Sequence, residues 1–153
     1  MRRSIFLAGS ILLLAFSAVA QVSGGGKPFS FTSPLADDFA KAKVVLPAID
    51  VPEMQRQAKE IYAKGEMLPA GKIFPVSYSP ENSGVWTTLP NGDRVWRLLA
   101  EVPGAPATSL YFDNFYIPEG AVLYVYNAEK THLIGSFGAH NNSAAKEFAT
   151  EIV

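Results

Sequence analysis

The side chains best placed for acid–base work are two histidines, His132 and His140, the only two in 153 residues. Nucleophilic catalysis needs a Ser, Thr or Cys beside such a base, and a third group to orient the base. The chain has no cysteine, which removes thiolate nucleophiles, disulfides and thiolate metal ligands. No serine stands in a Gly-Xaa-Ser-Xaa-Gly elbow. His132 alternates with Leu133 in a predicted strand, and His140 lies in the predicted loop Ala139-His140-Asn141-Asn142. Both read as surface residues, and no catalytic residue is expected in this chain.

The closest carboxylates are Asp37-Asp38, which read as a solvated pair with no second acidic cluster to complete a glycosidase-type site. Residues 91–93 and Asp113-Asn114 offer oxygen ligands, but too few for calcium, so neither a metal nor a cofactor is expected. Gly24-Gly25-Gly26 lacks the preceding strand and following helix of a phosphate loop. Asn141-Asn142-Ser143 matches the N-glycosylation pattern. The aromatic residues carry more weight. Trp86, Tyr124 and Tyr126 with Arg97, joined by Tyr111 and Tyr116, are candidates for a surface that stacks on sugar rings or cations. Core and cross-strand packing is the heavier reading of the same residues.

These side chains must be positioned by strands. In residues 84–99, two β-rich runs flank Asn91-Gly92, the strongest short hairpin signal. With Asn91 and Gly92 as a two-residue turn, Leu89 pairs with Arg94, Thr87 with Trp96 and Val85 with Leu98. Trp86 then faces Arg97 as a cation–π pair, on the opposite side of the sheet from Trp96. Downstream, residues 109–117, 122–126, 132–137 and 147–153 read as further short strands. A loop at 101–107, the turns Pro118-Glu119-Gly120 and 127–130, and a polar loop at 138–146 separate them. Short strands at this spacing predict a mainly β fold, an antiparallel β-sandwich of jelly-roll-like or immunoglobulin-like kind.

Upstream, Asp50 as N-cap, Glu53 three residues on, Pro52 in the first turn and Gly65 at the end predict one short helix near 51–64. Met54, Ala58, Ile61 and Tyr62 form its narrow apolar stripe. Residues 21–34 read as extended, with Phe29 and Phe31 alternating as in an edge strand, and 73–78 as a possible short strand. The domain boundary falls in 65–83. The expected organisation is a signal peptide at 1–20, a propeptide-like leader at 21–83 and an antiparallel β-domain at 84–153.

The start of the chain supports export. Met1-Arg2-Arg3 precedes an apolar run at 5–16, and Ser17-Ala18-Val19-Ala20 supplies small residues for signal peptidase. Cleavage is expected between Ala20 and Gln21, giving a secreted or periplasmic chain with no stable membrane anchor. Without Arg2 and Arg3, the 13 basic residues fall to 11 against 14 acidic, so no nucleic-acid partner is expected. Apolar content of 48% supports a folded core. Phe148, Thr150 and Ile152 alternate into Val153 with no cap or turn after them. The sheet is expected to be incomplete there, as at the start of a longer polypeptide.

The run from Gly84-Val85-Trp86 through Leu89-Pro90-Asn91-Gly92-Asp93-Arg94-Val95-Trp96-Arg97-Leu98 resembles the N-terminal region of secreted trypsin-like serine endopeptidases of Bacteroidota, the lysyl endopeptidase-like group. The resemblance continues through Phe112-Asp113-Asn114-Phe115-Tyr116-Ile117-Pro118-Glu119-Gly120-Ala121, Leu123-Tyr124-Val125-Tyr126-Asn127, Ile134-Gly135-Ser136-Phe137, Asn141-Asn142 and Glu147-Phe148-Ala149-Thr150. Gly25-Gly26-Lys27-Pro28-Phe29-Ser30-Phe31 and Leu46-Pro47-Ala48-Ile49-Asp50 resemble the same group's leader. The resemblance implies a propeptide or accessory β-domain whose partner, a downstream protease domain of the same polypeptide, carries the catalytic triad. A stand-alone extracellular module binding glycan or cell surface through its aromatics is the alternative.

Overall fold

The computed structural model describes residues 23–33, 35 and 39–153. The expected signal peptide, its cleavage point at Ala20 and Gln21, and the Asp37-Asp38 pair lie outside these residues. The fold is mainly β. Among the described residues the strands are β1 (Lys43–Val45), β2 (Val85–Thr88), β3 (Arg94–Arg97), β4 (Leu99–Glu101), β5 (Tyr111–Phe112), β6 (Leu123–Tyr126), β7 (Leu133–Phe137) and β8 (Phe148–Ala149). They pair two by two, as β1–β4, β2–β3, β5–β8 and β6–β7. The three pairs formed within the expected β-domain at 84–153 are antiparallel, whereas β1, from the segment expected as a leader, runs parallel to β4.

The helix α2 (Val51–Ala63) forms as its sequence signals require. Asp50 caps it by accepting from the Glu53 N–H at 3.0 Å, and Pro52 occupies the first turn, where a missing N–H costs nothing. At the other end Gly65, with φ +72°, donates to the Tyr62 carbonyl, and Glu66 donates back to Ile61, a Schellman closure. Met54, Ala58 and Ile61 of the expected stripe are half-buried, whereas Tyr62 is 74% exposed.

The hairpin β2–β3 exists, but its register differs from the expected one by one residue. Trp86 pairs with Trp96, Thr87 with Val95, Thr88 with Arg94 and Val85 with Arg97. Proline explains the shift. Pro90, with φ fixed near −65°, suits the second position of a type I turn. The Gly92 N–H accordingly bonds back to the Leu89 carbonyl at 2.9 Å, and Leu89 donates to Asp93 at 2.8 Å. Gly92 then takes φ +92°, which makes a three-residue loop rather than a two-residue one. A one-residue shift exchanges faces. Both tryptophans therefore share one face, and Arg97 lies across from Val85 on the other.

Other expectations are also corrected. Residues 29–32 form a helical turn, α1 (Phe29–Thr32), and not an edge strand. Residues 73–78 form no strand. Of the aromatic stretch 109–117 only Tyr111–Phe112 is strand, because Phe115 and Ile117 leave the ladder to enter the core. The loop at 138–146 contains a short 3-10 turn at Ala139–Asn141.

That core is small and aromatic. Phe115, Ile117, Phe137 and Phe148 are buried, with Phe112, Leu123 and Ile134 packed against them. Phe148 stacks on Phe115 at 4.3 Å between ring centroids and meets Phe137 edge-on at 4.9 Å. The segment expected as a leader is tied to later strands. Besides the β1–β4 pair, Leu46 donates to Glu101 and Ile49 to Pro103.

Candidate functional site

The two aromatic hairpins carry the residues singled out from the sequence. In β2–β3, both indole N–H groups are bound inward to the turn that precedes β2. Trp86 donates to the Pro80 carbonyl at 2.9 Å, and Trp96 to the Ser83 carbonyl at 2.7 Å. Gly84, at φ +76°, is needed because a Cβ there would sit 2.6 Å from the Trp96 indole nitrogen. The Trp86 ring is faced by the Arg94 guanidinium, 4.2 Å from its centroid. This replaces the expected Trp86–Arg97 pair. Arg97 reaches the Thr87 hydroxyl at 3.5 Å on the other face. No local sequence signal marks the Trp86–Arg94 pair, because it depends on register, which Pro90 rather than Asn91-Gly92 decides.

In β6–β7, Tyr124 and Tyr126 face the chain's own N-terminal segment. The Tyr124 hydroxyl donates to the Gly25 carbonyl at 3.1 Å. Ser30 and Tyr126 share a hydroxyl–hydroxyl hydrogen bond of 2.8 Å, and the Phe31 ring meets Tyr126 edge-on at 4.8 Å. Lys130 lies over Phe31 and donates to the Ser30 carbonyl at 3.3 Å. Further up the strand, the ladder passes from Leu123↔Phe137 to Tyr124↔Gly135, so Ser136 is bulged out of the pairing. Its backbone groups are taken up by glycine. Gly24 donates to the Ser136 carbonyl at 2.9 Å, and Ser136 donates to the Gly25 carbonyl at 3.2 Å. The triglycine thus serves as a strap along a bulged strand. A Cβ at Gly24 would meet the Ser136 hydroxyl at 2.7 Å.

The four aromatic-site candidates are therefore not gathered on one surface. Trp86 and Arg97 occupy opposite faces of one hairpin, while on another Tyr124 meets the strap and Tyr126 meets α1. The more open rings are Tyr111 and Tyr116, at 67% and 69% exposure. Desolvation raises the Tyr111 phenol above its ordinary value, and the Glu147 carboxylate, which it hydrogen-bonds, and Asp113 push it the same way.

His132 and His140 stand at opposite ends of β7, both exposed. Among the described residues no group of three His, Asp or Glu side chains is placed to hold a metal ion. Asn91 and Asp93 bond to each other within the hairpin loop. Asn141 accepts from the Gly138 N–H. A cleft of about 380 Å³ opens between α1 and the hairpin tip, lined by Phe29, Ser33, Leu35, Thr87, Thr88, Leu89 and Pro90. No titratable side chain is among that lining, so it offers shape without acid–base chemistry. Among the described residues no helix is long and apolar enough to cross a membrane. No family model matches the chain, and no solved structure matches it.

Proposed function

We infer that this chain is the non-catalytic N-terminal region, a propeptide or accessory β-domain, of a secreted serine endopeptidase of the lysyl endopeptidase-like group. The signal-peptide pattern at residues 1–20 directs it out of the cytoplasm, and a protease domain following in the same polypeptide is its partner. The observation that carries this reading is how the resembling block is used. The tryptophans of 84–98 bind their indole N–H groups to the Pro80 and Ser83 carbonyls, and Arg94 covers Trp86. These contacts build a scaffold and present no reactive group. The paired strands are read as parts of an antiparallel sandwich. The gene sequence beyond Val153 tests the reading. An open frame that later supplies His, Asp and a Gly-Asp-Ser-Gly-like segment supports it, and a stop codon directly after Val153 overturns it.

The exposure of Tyr111 and Tyr116 favours a second reading, an extracellular module that binds glycan or cell surface. Glycan-array binding lost in Tyr116→Ala, with circular dichroism unchanged, supports that reading over the first.

A further inference from the structure

We propose that the bond between Lys72 and Ile73 is a built-in processing site for a lysine-directed endopeptidase, and that the two pieces stay associated after the cut. Endopeptidases bind their substrates as extended strands whose backbone groups are free to pair with the enzyme. Such segments are exposed and hydrogen-bond little with the rest of their own fold. Residues 66–79 have neither helix nor strand, and Lys72 is exposed at their centre with Ile73 at 86% exposure. Among the described residues, none hydrogen-bonds to the backbone of 67–76. The residues before Lys72 are small (Pro69, Ala70, Gly71), and the one after it is not proline.

Every other lysine is disfavoured for a specific reason. The bond after Lys27 leads into Pro28, whose ring blocks cleavage. Lys41 lies in a 3-10 turn, Lys43 in β1 and Lys59 in α2. Lys64 is the C-cap of α2, with its N–H bonded to Glu60 and Ile61. Lys130 and Lys146 sit in tight turns at φ +58° and +56°, far from a substrate's extended form. Lys72 is also the only basic residue between 66 and 84. Hydrolysis there consumes one water, breaks the Lys72–Ile73 amide C–N bond, and leaves a carboxylate on Lys72 and an amine on Ile73.

The contacts that join the two pieces do not involve the cut segment. Among the described residues they include the β1–β4 pair with the Lys43–Glu101 ion pair, the Ile49–Pro103 bond, the strap on Ser136, and Phe31 on Tyr126. The product is therefore a nicked, two-piece domain.

The choice of a lysine-directed cutter rests on the function proposed above, whereas the openness of residues 66–79 does not, so a purified lysine-specific endopeptidase is added to the full chain in trans. The expected first product begins Ile-Phe-Pro-Val by N-terminal sequencing, and its pieces co-elute in native size exclusion and separate in urea. Lys72→Gln, which gives up the ammonium 5.4 Å from the centroid of the exposed segment's own Phe74 ring, loses that first cut while keeping its circular dichroism. A first cut at another lysine, an uncut chain, or pieces that part in native buffer overturns the proposal. None of these results bears on whether a protease domain follows Val153.

Discussion

Asn142 occupies, beside Ile117, the place a neighbouring strand would take. Its side-chain amide accepts the Ile117 N–H and donates to the Ile117 carbonyl, each at 2.8 Å. Ile117 is buried and belongs to no strand, so one side chain satisfies both of its backbone groups. Asn142→Ala is expected to lower stability by about 1–3 kcal/mol for the groups left unpaired. Asn142→Asp keeps the acceptor but places a carboxylate beside the Ile117 carbonyl, and should cost a comparable amount at neutral pH. Urea midpoints of the two variants check this.

The aromatic core gives a larger effect. Phe148 touches Phe112, Phe115 and Phe137, and Phe148→Ala should cost about 3–5 kcal/mol. Phe29→Ala, at a ring 42% exposed, should move the urea midpoint much less.

Two glycines with the same sign of φ should respond differently. At Gly92, φ +92° with nothing within 4 Å of a built Cβ, alanine pays only for the left-handed backbone, about 1–2 kcal/mol. At Gly104, φ +81°, the Cβ would lie 2.2 Å from the Ile49 carbonyl oxygen, so alanine must also break the contact that seats β1 beside β4. Gly104→Ala is expected to be clearly the more destabilised in thermal unfolding.

A double-mutant cycle separates the two arginines of the hairpin. Arg94→Ala with Trp86→Leu should show a coupling of about 0.5–1 kcal/mol, the range for an exposed cation–π pair. The same cycle with Arg97→Ala should show none, because Arg97 is on the other face.

On α2, hydrogen bonds from Arg56 and then Gln57 hold Glu53 at about 2, well below its usual 4.5. Because the folded value lies below the unfolded one, the stabilisation is complete above the unfolded value and disappears as pH falls through the folded one. The carboxyl titration of Glu53 by NMR should have its midpoint near 2 and move up in Arg56→Ala. The helical far-ultraviolet signal should weaken over the same acid range.

Local signals were legible in the sequence and distant ones were not. The caps of α2 read correctly because Asp50, Glu53, Pro52 and Gly65 act within one or two turns. The hairpin was legible as a hairpin, yet its register was not, since Pro90 and Asn91-Gly92 favour different turns and only one can be satisfied. The Asn142–Ile117 clamp, the parallel β1–β4 pair and the strap over Tyr124 and Ser136 join residues far apart in the chain, and no periodicity marks such pairs. The aromatic surface dispersed for the same reason: a one-residue change of register moved Trp86 and Arg97 onto opposite faces.

The strap has a kinetic consequence. Ser23 and the Gly135 carbonyl it binds are separated by 112 positions, and Tyr124 lies 99 beyond Gly25. All five hydrogen bonds that residues 23–25 make to Tyr124, Gly135 and Ser136 need that long loop closed and the bulge at Ser136 already formed, so these contacts form after β6 and β7 have paired. The first described residues made by the ribosome are thus among the last to find their place. Until β7 exists, the glycine stretch stays uncommitted, and its lack of side chains leaves it little to bind in the meantime.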